Sequence, residues 1–261
     1  MVARGAIEHY CFDVSILFLA SDLCFDHNPG KQHPERPERL SAIHEGVVLS
    51  DLGSSLIQVE AQPIAREEIL QVHDVDFIEE LEQVDSQGGG RIDPDTKMSE
   101  RSWKAAQISA GAGIQAVHEL NEGSYDAAFC AIRPPGHHAT SNQSMGFCFL
   151  NNAAIATQHL VNAGQRVLIV DYDAHHGNGT QDIFYEEPNV FFISFHQWPL
   201  YPGTGKVEEI GDGQGVGTTM NFPFPSRTTG DHYRKAWEEI IQPKVEMFNP
   251  TWLVISAGFD S

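Results

Sequence analysis

Basic charge is scarce in this sequence: Lys and Arg total 16 against 36 Asp and Glu, a net charge of −20 over 261 residues. A nucleic-acid surface needs a basic face, and anionic membranes attract basic segments, so neither direct nucleic-acid binding nor membrane adhesion is expected. A cationic substrate is compatible, because a negative field raises its encounter rate. Cysteine is also sparse. Cys11, Cys24, Cys130 and Cys148 form no C-x-x-C, and three of them lie in or beside apolar runs. A disulfide framework is not expected at this size, which points to a reducing, cytoplasmic setting. No apolar run reaches the ~18 residues of a membrane span. The stretch Val14–Ala20 is too short, follows the acidic Glu8 and Asp13, and lacks a small-residue cleavage site, so it reads as a first buried strand. No internal repeat or low-complexity tract is present. The length fits one large domain over residues 1–261.

What is abundant is histidine, with 13. Short apolar runs alternate with helical stretches. Candidate strands are Ser15–Ala20, Ala127–Ile132, Arg166–Asp171, Val190–His196 and Trp252–Ala257, each apolar enough to be buried on both faces. Candidate helices are Arg36–Val48, Trp103–Leu120 (following a helix start at Ser99), Asn151–Ala163 and Asp231–Phe248, the last kinked or split by Pro243. Residues 87–95 read as a loop. This order predicts an α/β fold, a three-layer open and mostly parallel sheet with helices on both faces.

Ligands bind beyond the carboxyl ends of parallel strands, and there the polar residues collect. Arg166–Asp171 runs into Asp171-Tyr172-Asp173-Ala174-His175-His176-Gly177-Asn178-Gly179-Thr180. In an extended segment Asp173 and His175 point the same way, and a carboxylate with an imidazole suits zinc, and also Fe(II), Mn or Co. Ala127–Ile132 ends in Arg133-Pro134-Pro135-Gly136-His137-His138, a rigid loop presenting two adjacent histidines suited to general-base and electrostatic work beside a metal-activated water. Alone, each segment is as well explained as a polar loop. Gly146–Asn152 reads alone as core and helix cap, and the loop from Asp26 to Leu40 as Arg36 or Arg39 paired with acidic surroundings.

Together the segments are far more specific. HPERPERL (His33–Leu40), RPPGHHA (Arg133–Ala139), GFCFLNN (Gly146–Asn152), DYDAHHGNGT (Asp171–Thr180), ISFHQ (Ile193–Gln197), YPGTG (Tyr201–Gly205) and SAGFD (Ser256–Asp260) resemble the histone deacetylase family, within the arginase/deacetylase fold. Asn178 and the HPERPERL opening resemble its class II and bacterial branch. The resemblance implies a zinc-dependent amidohydrolase that hydrolyses N-acetyl amides of the acetyl-lysine or acetylpolyamine type. Asp173 and His175 would be two of three zinc ligands. His138 would move the proton from water to the leaving amine, and His137 would act beside the developing oxyanion. Asp171 would orient His137, and Asn178 would sit behind His138. Phe147 and Tyr201 would flank the substrate channel, with Asp93 or Asp95 at its rim. Backbone carbonyls around Asp171, Asp173, His175, Ser194 and Phe195 would form a monovalent-cation (K+) site. The implied partner is an acetylated lysine-bearing protein or a small acetylated amine.

The family's third ligand, an aspartate, follows the SAGFD segment, and its catalytic tyrosine lies later still; neither is among the 261 residues. A 261-residue form is therefore expected to fold poorly and to be inactive, and a catalytically dead binding module is the alternative. An arginase-like di-manganese hydrolase is the third reading, and the strand ends supply too few carboxylates for it.

Overall fold

The computed structural model describes residues 14–50, 52 and 55–259. Cys11 and Asp260 lie outside them. The elements in chain order are β1 (Ile16–Ala20), α1 (Glu38–Leu49), β2 (Leu56–Glu60), α2 (Arg66–Ile69), α3 (Val75–Ser86), β3 (Gly90–Arg91), β4 (Lys97–Met98), α4 (Ser102–Asn121), β5 (Ala127–Ala131), α5 (Asn152–Asn162), β6 (Val167–Asp171), α6 (Asn178–Ile183), β7 (Val190–Gln197), β8 (Thr219–Phe224), α7 (Gly230–Ala236), α8 (Gln242–Phe248) and β9 (Trp252–Ser256).

Seven strands form two parallel sheets, β2-β1-β5 and β8-β7-β6-β9; β3 and β4 make a small antiparallel hairpin. All five strands read from the sequence are present, but β9, and β5 up to its buried end Ala131, alternate exposed and half-buried residues instead of being buried on both faces. No ladder joins the two sheets among the described residues, where the sequence suggested one sheet. β2 and β8 were not foreseen. Both are edge strands, β2 has no fully buried residue, and β8 carries Pro223, which cannot donate to a ladder.

Burial explains the layers. Every residue of β6 is buried. Val167 and Ile169 face α3, α4 and α5 through Leu81, Ile114 and Ile155. Leu168 and Val170 face the other way, onto Ala236, Ile241 and Phe248. In the smaller sheet, Leu17 and Leu19 pack on Ile108, Ala112 and Ala116 of α4, while Phe18 and Ala20 pack on Ile43 and Val47 of α1. Helices therefore cover both faces, as the alternation of strands and helices requires.

Two helices differ from expectation. The helix after residues 87–95 starts at Ser102, not Ser99, because Arg101 is left-handed (φ 69°) and the Ser99 backbone N–H donates to the Ser102 hydroxyl. The segment ending at Phe248 stays helical but changes its winding: α7 runs to Ala236, a π-helical turn spans Trp237–Ile241, and Pro243 sits in the first turn of α8, which follows directly. A proline inside a helix lacks an N–H and clashes with the carbonyl four residues back. The widened turn relieves both. Among the described residues no helix is long and apolar enough to cross a membrane.

Candidate active site

The register puts Asp171, at the end of β6, beside Ser194 of β7 and Ser256 of β9, so the polar strand ends share one edge of the larger sheet. Asp171 is fully buried and uses both carboxylate oxygens. One accepts the Asp173 backbone N–H at 3.1 Å; the other takes Nδ1–H of His137 at 3.0 Å. His138 stands beside His137 with ring centroids 3.9 Å apart. Its Nδ1 is 2.7 Å from Asn178 Oδ1. The Asn178 amide nitrogen faces the His138 carbonyl oxygen and the Met145 sulfur, so its oxygen faces the ring. An amide oxygen only accepts. His138 therefore carries its proton on Nδ1 and a lone pair on Nε2. Burial, then the neighbouring His137, pushes the His138 pKa well below the usual histidine value. The ring is neutral near pH 7 and able to take a proton.

Backbone contacts fix this pair. The Gly179 and Thr180 N–H groups, at the start of α6, donate to the His137 carbonyl at 3.0 and 3.2 Å. Gly146 (φ 55°) lies flat against the His138 ring: a Cβ there would sit 2.3 Å from His138 Cδ2.

Asp173 and His175 point to one place. Asp173 Oδ1 and His175 Nδ1 are 3.0 Å apart, and the same oxygen accepts the His175 backbone N–H at 2.7 Å. Burial opposes ionisation of Asp173, but the His175 hydrogen bond and the His137 charge outweigh it and hold the carboxyl down at about 2. Its other oxygen occupies space that any Cβ at position 258 would fill, at 1.3 Å from the ideal atom, so only glycine fits there. The His175 ring lies 6.0 Å from His138 and 6.3 Å from Tyr201. One carboxylate and one imidazole nitrogen with a buried, ionised oxygen fit a zinc-type ion. Among the described residues no cluster of three or more His, Cys, Asp or Glu side chains converges on one point, so Asp173 and His175 could supply at most two ligands of a metal site.

Tyr201 closes one side, its ring edge-on to His138 at 5.2 Å. Burial, then the charges of Asp95 and Asp93, push its hydroxyl well above the usual tyrosine value. Phe147 stands beyond Gly146, its ring 4.5 Å from His33. The two aspartates expected at the rim face each other and differ in their other partners. Asp93 Oδ1 accepts the backbone N–H groups of Asp95 and Thr96 at 2.9 and 2.6 Å, so it shapes its own turn. Asp95 instead takes the Thr96 hydroxyl at 3.0 Å.

Three supporting groups escape a reading of the sequence. First, Glu35 pairs with Arg133. Arg133 Nε donates to Glu35 Oε1 at 2.7 Å and Nη2 to Oε2, while Nη1 donates to the carbonyls of Cys24 and His27 at 2.8 and 2.7 Å. Arg39 donates to the Gly258 carbonyl. Second, the loop bearing Tyr201 is tied to the strand ends. His176 contacts the Thr204 hydroxyl (2.8 Å) and Gln181 (3.0 Å), His196 donates to the Gly205 carbonyl (3.0 Å), and Glu209 accepts from Gln181 (2.7 Å) and Gly205 (3.1 Å). Only the repeated histidine and the glycines of that loop hinted at this.

Third, Asn151 is more than the cap foreseen for it. Its side chain accepts the Ala154 N–H at 3.0 Å and donates to the Ala139 carbonyl at 3.0 Å, and its own N–H donates to His73 Nε2 at 3.0 Å. Burial holds His73 down at about 4. Its unfolded value is near 6.5, so its contribution is present above pH 6.5 and is lost as pH falls toward 4. That is about 2 kcal/mol between pH 7 and pH 4.5. Urea unfolding is expected to show His73→Gln losing about 2 kcal/mol less than wild type over that interval. Equal losses would contradict a buried neutral His73.

Comparisons with known proteins bear on the family and the fold. The model of the histone deacetylase domain matches residues 33–261. A probable deacetylase of Archaeoglobus fulgidus is 42% identical over 241 residues, covering 90% of this chain and 66% of that protein. A histone deacetylase-like amidohydrolase of Pseudomonas aeruginosa is 35% identical over 232 residues, covering 88% and 61%. The crystal structure of the HDA15 HD domain superposes with a TM-score of 0.90 at 33% identity, covering 95% of this chain and 72% of that one. The chain thus spans about 60–66% of the length of these curated relatives.

Proposed function

The chain belongs to the histone deacetylase family, with the arginase/deacetylase fold, and we propose from that premise that it hydrolyses N-acetyl amides of the acetyl-lysine or acetylpolyamine type with a zinc ion held in part by Asp173 and His175. The observation that carries this reading is the meeting of two pairs at one sheet edge: the carboxylate–imidazole pair, and the tandem histidines backed by Asp171 and Asn178.

When bound, zinc supplies a Lewis acid that polarises the acetyl carbonyl and makes water acidic enough to react near neutral pH. The chain's own residues do the rest. Asn178 fixes His138 in the tautomer whose Nε2 accepts the proton of the attacking water. The same nitrogen then returns that proton to the leaving amine, so the C–N bond breaks to give free amine and acetate. Asp171 keeps the His137 Nδ1 proton in place, leaving Nε2 of that ring to face the reacting carbonyl. Phe147 and Tyr201 exclude water around the aliphatic chain, and Asp95 meets the substrate at the rim.

The test is acetate release from an N-acetyl-lysine peptide by the purified protein. In a longer form that also supplies the third ligand and the tyrosine, turnover that a chelator abolishes and added zinc restores is expected. Turnover indifferent to chelation, or none with any acetylated amine, would overturn the proposal.

Net charge adds a second expectation. With −20 on the chain, acetylated polyamines and lysine peptides should show higher kcat/KM than acetylated acidic amides at low salt. The gap should narrow as salt screens the field. Equal values at low salt would contradict it.

A further inference from the structure

The turn Met145–Cys148, closed by the Cys148 N–H on the Met145 carbonyl at 2.9 Å, has both central residues left-handed, Gly146 at φ 55° and Phe147 at φ 69°. Glycine takes that conformation without cost. A bulky aromatic residue does not, and such a conformation persists only where the surroundings over-determine it. Here the Phe147 backbone N–H donates to the Thr96 hydroxyl at 3.0 Å. The same hydroxyl donates its own proton to Asp95 Oδ1 at 3.0 Å. Thr96 is buried, 1% exposed, and its backbone is pinned by Asp93. A second tie runs in parallel: His33 Nε2 is 3.2 Å from the Asp95 carbonyl, and its ring lies edge-on to Phe147. His33 Nδ1 is 3.1 Å from the Glu35 carbonyl oxygen and 3.2 Å from the Glu35 nitrogen, so the ring is held between the Glu35 backbone and the Asp95 carbonyl.

We propose that Thr96 is a positioning residue that sets substrate entry: one hydroxyl holds Phe147 in its left-handed turn and aims the Asp95 carboxyl at the rim, with His33 bracing both. The loop carrying the rim acid and the turn carrying the channel wall then move as one piece. Neither residue touches the reacting atoms. The substrate part of this proposal rests on the deacetylase reading; the coupling of the two loops does not.

The experiment follows the Phe147 amide by NMR hydrogen exchange and, in parallel, hydrolysis of an acetyl-lysine peptide. In Thr96→Val, which keeps the shape but lacks the hydroxyl, the Phe147 amide should exchange at least ~10-fold faster, with the β6 amides unchanged. Thr96→Ser should keep its protection. In turnover, Thr96→Val should raise KM several-fold with kcat within about threefold, and Thr96→Ser should restore KM; a merely structural loss would not split the two constants. Unchanged Phe147 exchange in a folded Thr96→Val overturns the coupling, as does lost protection in a folded Thr96→Ser. If Thr96→Val does not fold, His33→Ala takes its place and must loosen the Phe147 amide by a smaller factor; no change there also overturns the coupling. A fall in kcat with KM unchanged overturns the entry role. If the wild type hydrolyses no acetylated amine, the functional reading fails, while the exchange result still decides the coupling.

Discussion

In an active full-length form, His138→Ala is expected to lower kcat for acetyl-lysine hydrolysis by ~10²–10⁴. The expectation follows from its tautomer. Asn178 holds the His138 proton on Nδ1, so Nε2 carries the lone pair, in a ring whose centroid is 6.0 Å from that of His175, and burial keeps the ring neutral near pH 7. On the proposed mechanism, alanine removes both the acceptor of the water proton and the donor to the leaving amine. Asn178→Ala leaves the base in place but no longer selects its tautomer, and should lose less. The check is steady-state kinetics beside a melting curve. His138→Ala with near-normal kcat would end the assignment of the base.

Arg133→Met is expected to cost about 3–5 kcal/mol of stability, a fall in Tm on the order of 10 °C. Glu35 and Arg133 are 1% and 3% exposed. Burial disfavours the Glu35 charge, but the hydrogen bonds from His27 and Arg133 outweigh it and hold the carboxyl down at about 2. Removing the guanidinium leaves a buried carboxylate against a neutral His27, and also strips the Cys24 and His27 carbonyls of their donor. Because breaking a buried pair costs more than replacing it whole, Glu35→Gln combined with Arg133→Met should recover part of the loss. Thermal and urea unfolding of the three variants decides it: a single variant within 1 kcal/mol of wild type, or a double variant as weak as the sum, would contradict the account.

The pattern of what could be read in advance has a physical basis. β6 is buried on both faces, so its continuous apolar run gave it away. β2 and β8 are half-buried edges, one with a proline, and their signal is weak. In α3, Phe77, Ile78 and Leu81 carry the buried face amid acidic residues, and no cap residue accepts a backbone N–H to mark its start. Asp173 with His175, two apart at a strand end, and the adjacent His137 and His138 were legible because their proximity is local. The partners that hold them are far away in the chain. Thr96 lies 51 residues from Phe147, and Glu35 lies 98 from Arg133. Which acid meets which base across such distances depends on which groups the fold buries together. Arg36 and Arg39 were nearer in sequence, but Arg133 leaves the end of β5 into the interior, where Glu35 is.

The central claim is that Asp173 and His175 hold the catalytic metal next to His138. Anomalous diffraction at the zinc absorption edge, from crystals grown with zinc, tests it most directly. The account predicts a peak about 2.0–2.2 Å from both an Asp173 carboxylate oxygen and His175 Nδ1, lost in His175→Ala crystals. A peak bonded to other side chains, or a peak between these two that survives His175→Ala, would contradict it.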